Sequence, residues 1–399
     1  MAQRWLPIIL LLCIGAVVFF SGLNWGLPSH RVDPYLFGDH PVWTGQQILS
    51  LLPKDENADR GADVAAEPIV NRDVPVLLNA TDQQRAEIIR RYRLFSYQPD
   101  EMITFMSLSR MNPHSGDFDP RLYQYGSLWI YPVGGLLKIC SLLHLIQLRP
   151  DMAYYLDHPA QFGKFYIVAR AYSAAWALFG ILVVFELTGA LGGDLSTQAI
   201  AALGFIFLPV VIYTSHEAKP HLPGAVLSLL AVLMGLRFLE TGRWRYAIFL
   251  ILSCGLACSM VISTFPLLLL IPTVFALKGP RMAIRAIGGV IAAVIIYLLL
   301  NPYLWIDFFW HRQRLVSNLS NSAAMYHFSF LSAFSRAVGL TADGTSLIVF
   351  IFGIVGAIAL LITGRTRTWI LVAASLFIWI PFAVFAANKP AEYGRFAIL

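Results

Sequence analysis

The chain is poor in charged residues, and this scarcity excludes an ordinary soluble protein. Of its 399 residues only 13% are charged and 57% are hydrophobic, and the mean hydropathy is +0.65. Soluble domains carry about 25% charged residues, so this chain lacks the polar surface that a water-exposed globule needs. We predict an all-α, polytopic membrane protein.

Cysteines and cofactor motifs are also few. The cysteines all lie in apolar stretches, and the long polar segment at 24–124 has none, so no disulfide framework is predicted there. The sequence contains neither the HExxH spacing of zinc enzymes nor a GxxxxGK[ST] or GxGxxG phosphate loop. We predict no cofactor and leave a divalent cation open. Despite the net charge of +6, the sequence has no nucleic-acid signature.

Long, nearly uncharged apolar runs dominate the rest. A bilayer core needs about 20 apolar residues per helix, and backbone groups inside lipid must bond internally, so each run is predicted to be helical. The run at 246–277 is predicted to be a tight helical hairpin, broken near Pro266. The runs lie at 5–23, 165–191, 197–214, 222–239, 246–277, 284–304, 345–363 and 368–387.

Short basic loops set the predicted orientation, because such loops face the cytoplasm. The basic loops at 237–245, 278–285 and 365–367 share the N-terminal side only if 125–147 does not cross the membrane. That stretch is therefore predicted to be an interfacial or re-entrant helix. The predicted divisions are a first transmembrane helix at 1–23, an extracytoplasmic loop with interfacial helices at 24–164, and a transmembrane bundle at 165–399.

Residues 81–95, within the loop, have the pattern of an amphipathic helix. Thr81 and Gln84 fit a capping box. Ile88, Tyr92 and Phe95 line one face, and arginines occupy much of the rest. This pattern predicts a helix on a membrane surface, and a solvated helix on a soluble domain is the alternative.

An acidic pair follows that helix. Asp100 and Glu101 come directly after Pro99. One interpretation is a helix start, with Asp100 as the N-cap and Glu101 in the first turn. The other is catalytic, because adjacent carboxylates at a helix start can provide a general base and its partner.

A second polar group, the segment SHEAKPH, lies between two apolar runs. His216, Glu217, Lys219 and His221 make it dense in ionisable side chains for a loop that only reverses direction. The structural alternative is a polar turn at the interface, with Lys219 snorkelling. The functional hypothesis is that the turn supplies a second acid, a phosphate-pairing cation and a proton-accepting histidine.

Basic residues near the same boundary complete the set. Arg170 lies early in the run at 165–191, where a charge faces the protein interior or snorkels outward. The other phosphate-binding candidates are His311, Arg312, Arg314, Lys389 and Arg395.

Taken in order, these features resemble the GT-C superfamily of membrane glycosyltransferases, in particular its protein O-mannosyltransferase and aminoarabinose-transferase-like branch. One helix and a large outer loop come first. The motifs that carry the resemblance are YQPDE with Asp100 and Glu101, the segment YQYGSLWIYP, a helix opening with Arg170, and the turn SHEAKP.

The resemblance implies a GT-C-like helical bundle that transfers a sugar, with inversion, from a polyprenyl-phosphate donor to a protein, lipid or glycan acceptor. The expected location is the extracytoplasmic face of a bacterial inner membrane. Asp100 is expected to activate the acceptor, with Glu101 beside it. Many relatives have an Asp where this chain has His221, so Glu217 or His221 is expected to act there. The residues expected around the donor are Arg170, His216, Lys219, His221 and Arg395.

Two other classes also explain the apolar helices. A transporter or flippase of lipid-linked saccharides would place functional charges at the bilayer midplane, often on broken helices. This sequence keeps its charges near the outer boundary, apart from Glu186. An O-antigen polymerase or ligase has its large outer loop later in the chain. The terminal residues EYGRFAIL begin a further apolar run, so a longer native chain is expected.

The orientation can be tested by cysteine labelling. Single cysteines at Asn79 and Thr241, in a cysteine-free background, should react differently with a membrane-impermeant thiol reagent on intact cells. Asn79 should be labelled because the loop at 24–164 is predicted to be extracytoplasmic. Labelling of Thr241 without labelling of Asn79 would reverse the orientation.

Overall fold

The computed structural model describes residues 2–52, 81–324, 330–362 and 366–386, and these residues are mainly helical. No β-strand occurs among them, only two isolated β-bridges. The first α-helices are α1 (Ala2–Phe20), α2 (Asp33–Phe37), α3 (Gly45–Leu51), α4 (Asp82–Leu94), α5 (Met102–Ser109), α6 (Ser127–Leu142), α7 (Met152–Asp157), α8 (Pro159–Ala190), α9 (Leu195–Phe207) and α10 (Pro209–Ser215). The others are α11 (His221–Thr241), α12 (Trp244–Met260), α13 (Leu270–Lys278), α14 (Ala283–Leu300), α15 (Pro302–Trp310), α16 (Arg312–Ala324), α17 (Phe330–Thr345), α18 (Leu347–Ile362) and α19 (Thr366–Pro381).

Several of these helices are long and apolar enough to cross a membrane. Among the described residues three meet that standard, namely α8, α11 and the stretch Pro280–Leu300 that ends with α14. The number rises to as many as five if each of two bent pairs forms one span: α9 with α10, bent by 58°, and α17 with α18, bent by 108°. The prediction of an all-α chain with membrane-compatible helices is therefore confirmed for the described residues.

One end of the bundle carries the described parts of the long polar segment, 24–52 and 81–124, and we call it the loop end. The chain leaves α12 there, where Val261 forms an isolated bridge with Tyr125. The chain also leaves α14 there, where Asn301 Oδ1 accepts a hydrogen bond from Ser127 N at 2.7 Å. These contacts hold the polar segment against the ends of the apolar helices.

The opposite end gathers the short basic loops, and we call it the basic end. Arg4 of α1 pairs with Glu186 of α8, and Arg237 Nη2 of α11 lies 3.7 Å from Glu186 Oε2. Lys278 Nζ, at the end of α13, donates to Leu239 O at 3.1 Å. These basic residues therefore lie away from the loop end. Arg365 lies outside the described residues.

The hairpin at 246–277 reverses earlier than predicted. Helix α12 ends at Met260, and a 3-10 helix, Ile262–Leu269, leads into α13. Val261 between them is extended, with φ −154° and ψ 136°. Gly126 N donates to Met260 O at 2.9 Å beside the Tyr125–Val261 bridge. The predicted break near Pro266 is thus wrong, because the polar segment fixes the reversal at Val261 and Pro266 lies inside the 3-10 helix.

Helix α6 packs against the first part of α8. Its Trp129 contacts Tyr172, with ring centroids 5.4 Å apart, and the chain after α6 accepts a hydrogen bond from Lys164 Nζ at Leu145 O. Helix α8 runs from the loop end to the basic end, and Lys164 is closer than Tyr172 to its start. Helix α6 therefore runs away from the basic end. The stretch at 125–147 therefore stays at the loop end.

Helix α4 buries a different face from the predicted one. Its capping box is confirmed, since Thr81 and Gln84 exchange both hydrogen bonds. The buried residues, however, are Ala86, Ile89, Arg93 and Leu94, whereas Tyr92 is half exposed. The predicted apolar face is therefore wrong at Tyr92.

Arg93 explains how α4 is held. Its Nη2 lies 2.8 Å from Asp33 Oδ2, and its Nη1 donates to Trp43 O and Leu156 O. This buried pairing fixes α4 on the rest of the loop end, which favours the alternative of a helix on a protein domain over a helix on a lipid surface.

The joint between Gly126 and α12 leaves no room for a side chain. A Cβ at Gly126 would lie 1.8 Å from Ser259 O, whereas one at Gly135 in α6 meets nothing within 4 Å. We expect Gly126→Ala to lower the stability of the detergent-purified protein by at least about 1–3 kcal/mol, the usual cost of overpacking. Gly135→Ala is the matched control and should be neutral or stabilising, because Ala is the better helix former. Equal thermal unfolding midpoints for the two variants would contradict this description of the joint.

Candidate functional site

The carboxylate of Glu101 is completely buried at the loop end and is fully hydrogen-bonded. Arg170 Nε donates to Oε1 at 2.8 Å and Arg170 Nη2 donates to Oε2 at 2.6 Å. Ala218 N also donates to Oε1 at 2.6 Å, and the Ser96 hydroxyl donates to Oε2. One carboxylate therefore joins the polar segment, α8 and the turn between α10 and α11.

Arg170 extends this network to α1. Its Nη1 donates to Leu23 O at 2.9 Å and to Trp25 O at 2.7 Å, just after α1 ends. A guanidinium group can only donate hydrogen bonds. Here its Nε, Nη1 and Nη2 each donate to a protein oxygen. Arg170 therefore faces the protein interior, and its position favours a structural role over direct binding of a donor phosphate.

The turn between α10 and α11 is fixed through its backbone. Ser173 Oγ of α8 donates to Glu217 O at 2.6 Å, and Thr104 Oγ1 of α5 donates to Ala218 O at 3.1 Å. Trp129 Nε1 in turn donates to Thr104 Oγ1 at 3.1 Å. The backbone of the turn is thus held by α5 and α8, and α6 supports the contact from α5.

Lys219 is the central cation of the candidate site. It is buried, and its Nζ lies 3.3 Å from Glu217 Oε1 and 3.8 Å from Asp100 Oδ2. Glu217 is also buried, and its Oε2 has no hydrogen-bond partner among the described residues. Asp100 differs from both, because 39% of its side chain is exposed. The site therefore combines an accessible carboxylate with a buried ion pair.

The two histidines of the turn take different places. Both ring nitrogens of His216 face carbonyl oxygens: Nδ1 lies 2.7 Å from Ile212 O and Nε2 lies 2.6 Å from Ser21 O. His216 therefore links α10 to the residue that follows α1. His221 is buried, with its ring 5.9 Å from that of Tyr125. Arg395 and Lys389 lie outside the described residues.

The structure thus brings together most of the residues predicted for the site. Asp100, Glu217 and Lys219 form one cluster, and the ion pair of Glu101 and Arg170 fixes the backbone that carries the cluster. The helix-cap interpretation of Asp100 is wrong, because α5 begins with Glu101 at its N-cap position and has no side-chain cap bond. Asp100 lies instead in a 3-10 turn, Pro99–Glu101.

A second cluster, whose buried Asp119, Tyr123 and Asp307 the sequence analysis missed, joins the polar segment to α15 and α16. Tyr123 donates to Asp307 Oδ2, and His311 Nδ1 lies 2.9 Å from Asp307 Oδ1. Asp119 Oδ2 has no hydrogen-bond partner among the described residues. It lies 3.8 Å from Arg314 Nη1 and 3.9 Å from Arg121 Nε. His311 and Arg314 thus bind carboxylates of the protein itself.

One sequence signal pointed to this cluster, namely the Asp-x-Asp spacing of Asp117 and Asp119. Such a spacing commonly holds a metal and a diphosphate in nucleotide-sugar transferases. Here Asp117 Oδ1 accepts from Asp119 N at 3.0 Å, and Asp119 Oδ1 accepts from Arg121 N at 2.8 Å. The two aspartates thus shape a turn. Within the described ranges no three His, Cys, Asp or Glu side chains are placed to hold a metal ion.

The environment of Asp119 disfavours its charge. Burial raises the pKa of Asp119 to about 6, and the neighbouring carboxylate of Asp307 adds to the rise, against the hydrogen bond from Arg121 N. Burial and the bond to Asp307 also raise the pKa of Tyr123, so its hydroxyl stays protonated and continues to donate. Asp119 therefore titrates close to neutral pH, which is unusual for an aspartate.

The raised pKa predicts how stability depends on pH. The folded protein binds the Asp119 proton more tightly than the unfolded chain does, so Asp119 makes the fold more stable as pH falls through about 6. At pH 8 the buried carboxylate opposes folding. We expect Asp119→Asn to raise stability at pH 8 by about 1–3 kcal/mol, and the gain to shrink towards pH 5.

Thermal unfolding of the detergent-purified protein at both pH values measures this effect. Asp117→Asn is the matched control, since the side chain of Asp117 is about one-third exposed, and it should give no comparable gain. A gain from Asp119→Asn of the same size at pH 5 and pH 8 would show that the charge of Asp119 carries no such cost.

Comparisons with protein-family models, with curated proteins and with solved structures give no match for this chain. Inferences about its function therefore rest on its residues and on their geometry. The main geometric observation is the accessible Asp100 beside the buried Lys219–Glu217 pair at the loop end of an apolar helical bundle.

Proposed function

We propose that this chain is a membrane glycosyltransferase. It transfers a sugar from a polyprenyl-phosphate donor to an acceptor hydroxyl, with Asp100 as the general base. The observation that carries the proposal is the position of Asp100: it is accessible, and it lies 3.8 Å from a buried lysine that also pairs with Glu217. A donor with a polyprenyl tail belongs in the bilayer, so its phosphate reaches the ends of the apolar helices, where this cluster lies.

The reaction divides the roles among the clustered side chains. Asp100 takes the proton of the acceptor hydroxyl, and the oxygen attacks the anomeric carbon from the side opposite the phosphate. The bond from that carbon to the phosphate oxygen breaks, and the lipid phosphate leaves with the electron pair. Inversion follows from this single displacement. The proton on Asp100 then passes to the phosphate or to water.

Lys219 is the cation closest to this chemistry. An ammonium carries three donors, and its contacts to Glu217 and Asp100 occupy two directions. In the proposed mechanism it stabilises negative charge that develops on the leaving phosphate, as fixed cations do in transfer reactions. Glu217 is buried, so in this proposal its carboxylate positions Lys219 and does not contact the substrate.

Glu101 and Arg170 act as positioning residues in this proposal. Their buried ion pair contacts the end of α1, the polar segment and the turn. The three nitrogens of the Arg170 guanidinium and both carboxylate oxygens of Glu101 already have hydrogen-bond partners within the protein. Glu101 is therefore not a catalytic base in this proposal. Its role is to hold the backbone on which Asp100 and Lys219 are presented.

The distribution of buried charge favours this function over a transporter or flippase. A transporter is expected to keep functional charges near the bilayer midplane. Among the described residues the buried charged side chains lie at the loop end or in the segments packed on it. Glu186 lies at the basic end. These buried residues are Asp33, Arg93, Glu101, Asp119, Arg170, Glu217, Lys219 and Asp307.

The location follows from the same proposal. If the basic end faces the cytoplasm, as short basic loops do, the site lies on the extracytoplasmic side. A bacterial inner membrane, and a protein, lipid or glycan as acceptor, remain part of the proposal.

The proposal is tested by Asp100→Asn. A general base commonly contributes about 10²–10⁴-fold, so turnover with a polyprenyl-phosphate sugar donor should fall by about that factor. Folding and donor binding should stay near normal, because Asn preserves the size of the side chain and Asp100 is partly exposed. The measurement is sugar transfer by the purified protein, with its unfolding midpoint as a check.

Two further variants sharpen the result. Asp39→Asn, on an exposed aspartate of the same polar segment, should leave turnover unchanged. Glu101→Gln should instead destabilise the protein, since removing one partner of a buried ion pair costs about 3–5 kcal/mol. Full turnover in Asp100→Asn would exclude Asp100 as the base.

A further inference from the structure

Two aromatic side chains form an exposed pair beside the candidate site. Trp25 is 63% exposed and Tyr97 is 71% exposed, although their rings touch, with centroids 4.8 Å apart and planes 61° apart. Trp25 lies at the start of the polar segment, just after α1, and Tyr97 lies far along it, so the pair brings together two distant parts of the chain. Large apolar rings that stay this exposed while packing on each other make a ready contact surface for a ligand.

The pair is held from behind by the backbone. Tyr97 N donates to Gly26 O at 2.7 Å. Gly26 has φ +64°, and a Cβ on it would lie 2.7 Å from Tyr97 Cβ. Only glycine fits both this conformation and this approach. The rings are therefore fixed from the backbone side and open on their outer faces.

The same two segments carry the candidate site. Trp25 O accepts from Arg170 Nη1, which is part of the ion pair with Glu101. On the other side Tyr97 is followed by Gln98, whose amide donates to the hydroxyl of Tyr213. Asp100 lies two residues after Gln98. The positions of the rings and of the proposed base therefore depend on the same contacts.

The exposed pair suits one class of ligand. A pyranose ring has an apolar face of C–H bonds and a polar edge of hydroxyls, and an aromatic face, being negative, attracts the slightly positive C–H groups. Asp100, three residues after Tyr97 and with 39% of its side chain exposed, offers an acceptor for the hydroxyl edge. Trp25 also follows shortly after the apolar helix α1, at the same end of the bundle as the proposed site.

We propose that Trp25 and Tyr97 form the stacking surface for the sugar ring of the lipid-linked donor. This assignment rests on the proposed function and adds to it the residues that recognise the sugar. The other explanation for exposed Trp and Tyr is anchoring in the headgroup region. Two features favour the sugar: Tyr97 belongs to no apolar helix, and it is tied to the segment that carries Asp100.

Binding of short-chain probes tests this assignment. Farnesyl phosphate is compared with farnesyl phosphate mannose and farnesyl phosphate glucose, on purified wild-type protein and on Trp25→Leu and Tyr97→Leu. Leucine keeps both backbone hydrogen bonds and removes the aromatic face. Each variant should lose about 3- to 10-fold of the preference for the sugar-bearing probe, the size expected for one aromatic contact, and should bind bare farnesyl phosphate as the wild type does. Tyr35→Leu, on an 82% exposed tyrosine, is the matched control and should keep that preference.

The other outcomes are distinguishable. If the variants keep the sugar preference while the wild type transfers sugar, the stacking assignment is wrong and the proposed function stands. If the variants weaken all probes equally, the pair contacts the lipid, which also overturns the assignment. If the wild type neither prefers a sugar-bearing probe nor transfers sugar, the proposed function itself fails.

Discussion

The buried ion pair of Glu101 and Arg170 is the interaction on which the loop end depends. It joins the segment after α1, the start of α5, helix α8 and the turn between α10 and α11 through hydrogen bonds of 2.6–2.9 Å. In a buried place such a pair is costly to break, because the remaining charge would stay unpaired. The 3-10 turn that carries Asp100 and the turn that carries Lys219 are therefore both attached to a contact whose loss the fold tolerates poorly.

The bundle separates its charges by depth and by pairing. At the loop end the buried carboxylates and cations lie in contact with one another, as in the Arg93–Asp33 and Lys219–Glu217 pairs. At the basic end Arg4 and Arg237 share Glu186 and stay partly exposed. Partly exposed ion pairs contribute little to stability, so the pairs at the basic end are not a main source of the stability of the fold. The loop end carries desolvated charge, and this cost is common where chemistry is performed.

Local patterns predicted local structure well, whereas long-range pairs were out of reach. The apolar runs and the Thr81–Gln84 capping box follow from spacing along one segment, and both are present. Periodicity failed for Arg93, because the partner that makes its burial tolerable, Asp33, lies far away in sequence. The reversal at Val261 likewise depends on Tyr125. For the site, the order of the motifs along the chain predicted that Asp100, Glu217 and Lys219 belong together. Only the fold shows that Glu101 and Arg170 bind each other.

The contrast between Asp100 and Glu101 follows from the 3-10 turn that carries them. Such a turn completes a circle in three residues, so neighbouring side chains diverge by about 120°. Pro99 suits the first position of the turn, because its fixed φ matches a helical start. Once Glu101 points inward to Arg170, Asp100 is directed away from the buried pair, and its side chain is the accessible one. A carboxylate that takes a proton from a substrate must be both reachable and fixed. In the proposed mechanism Glu101 fixes the turn through Arg170, and Asp100 stays accessible to the substrate.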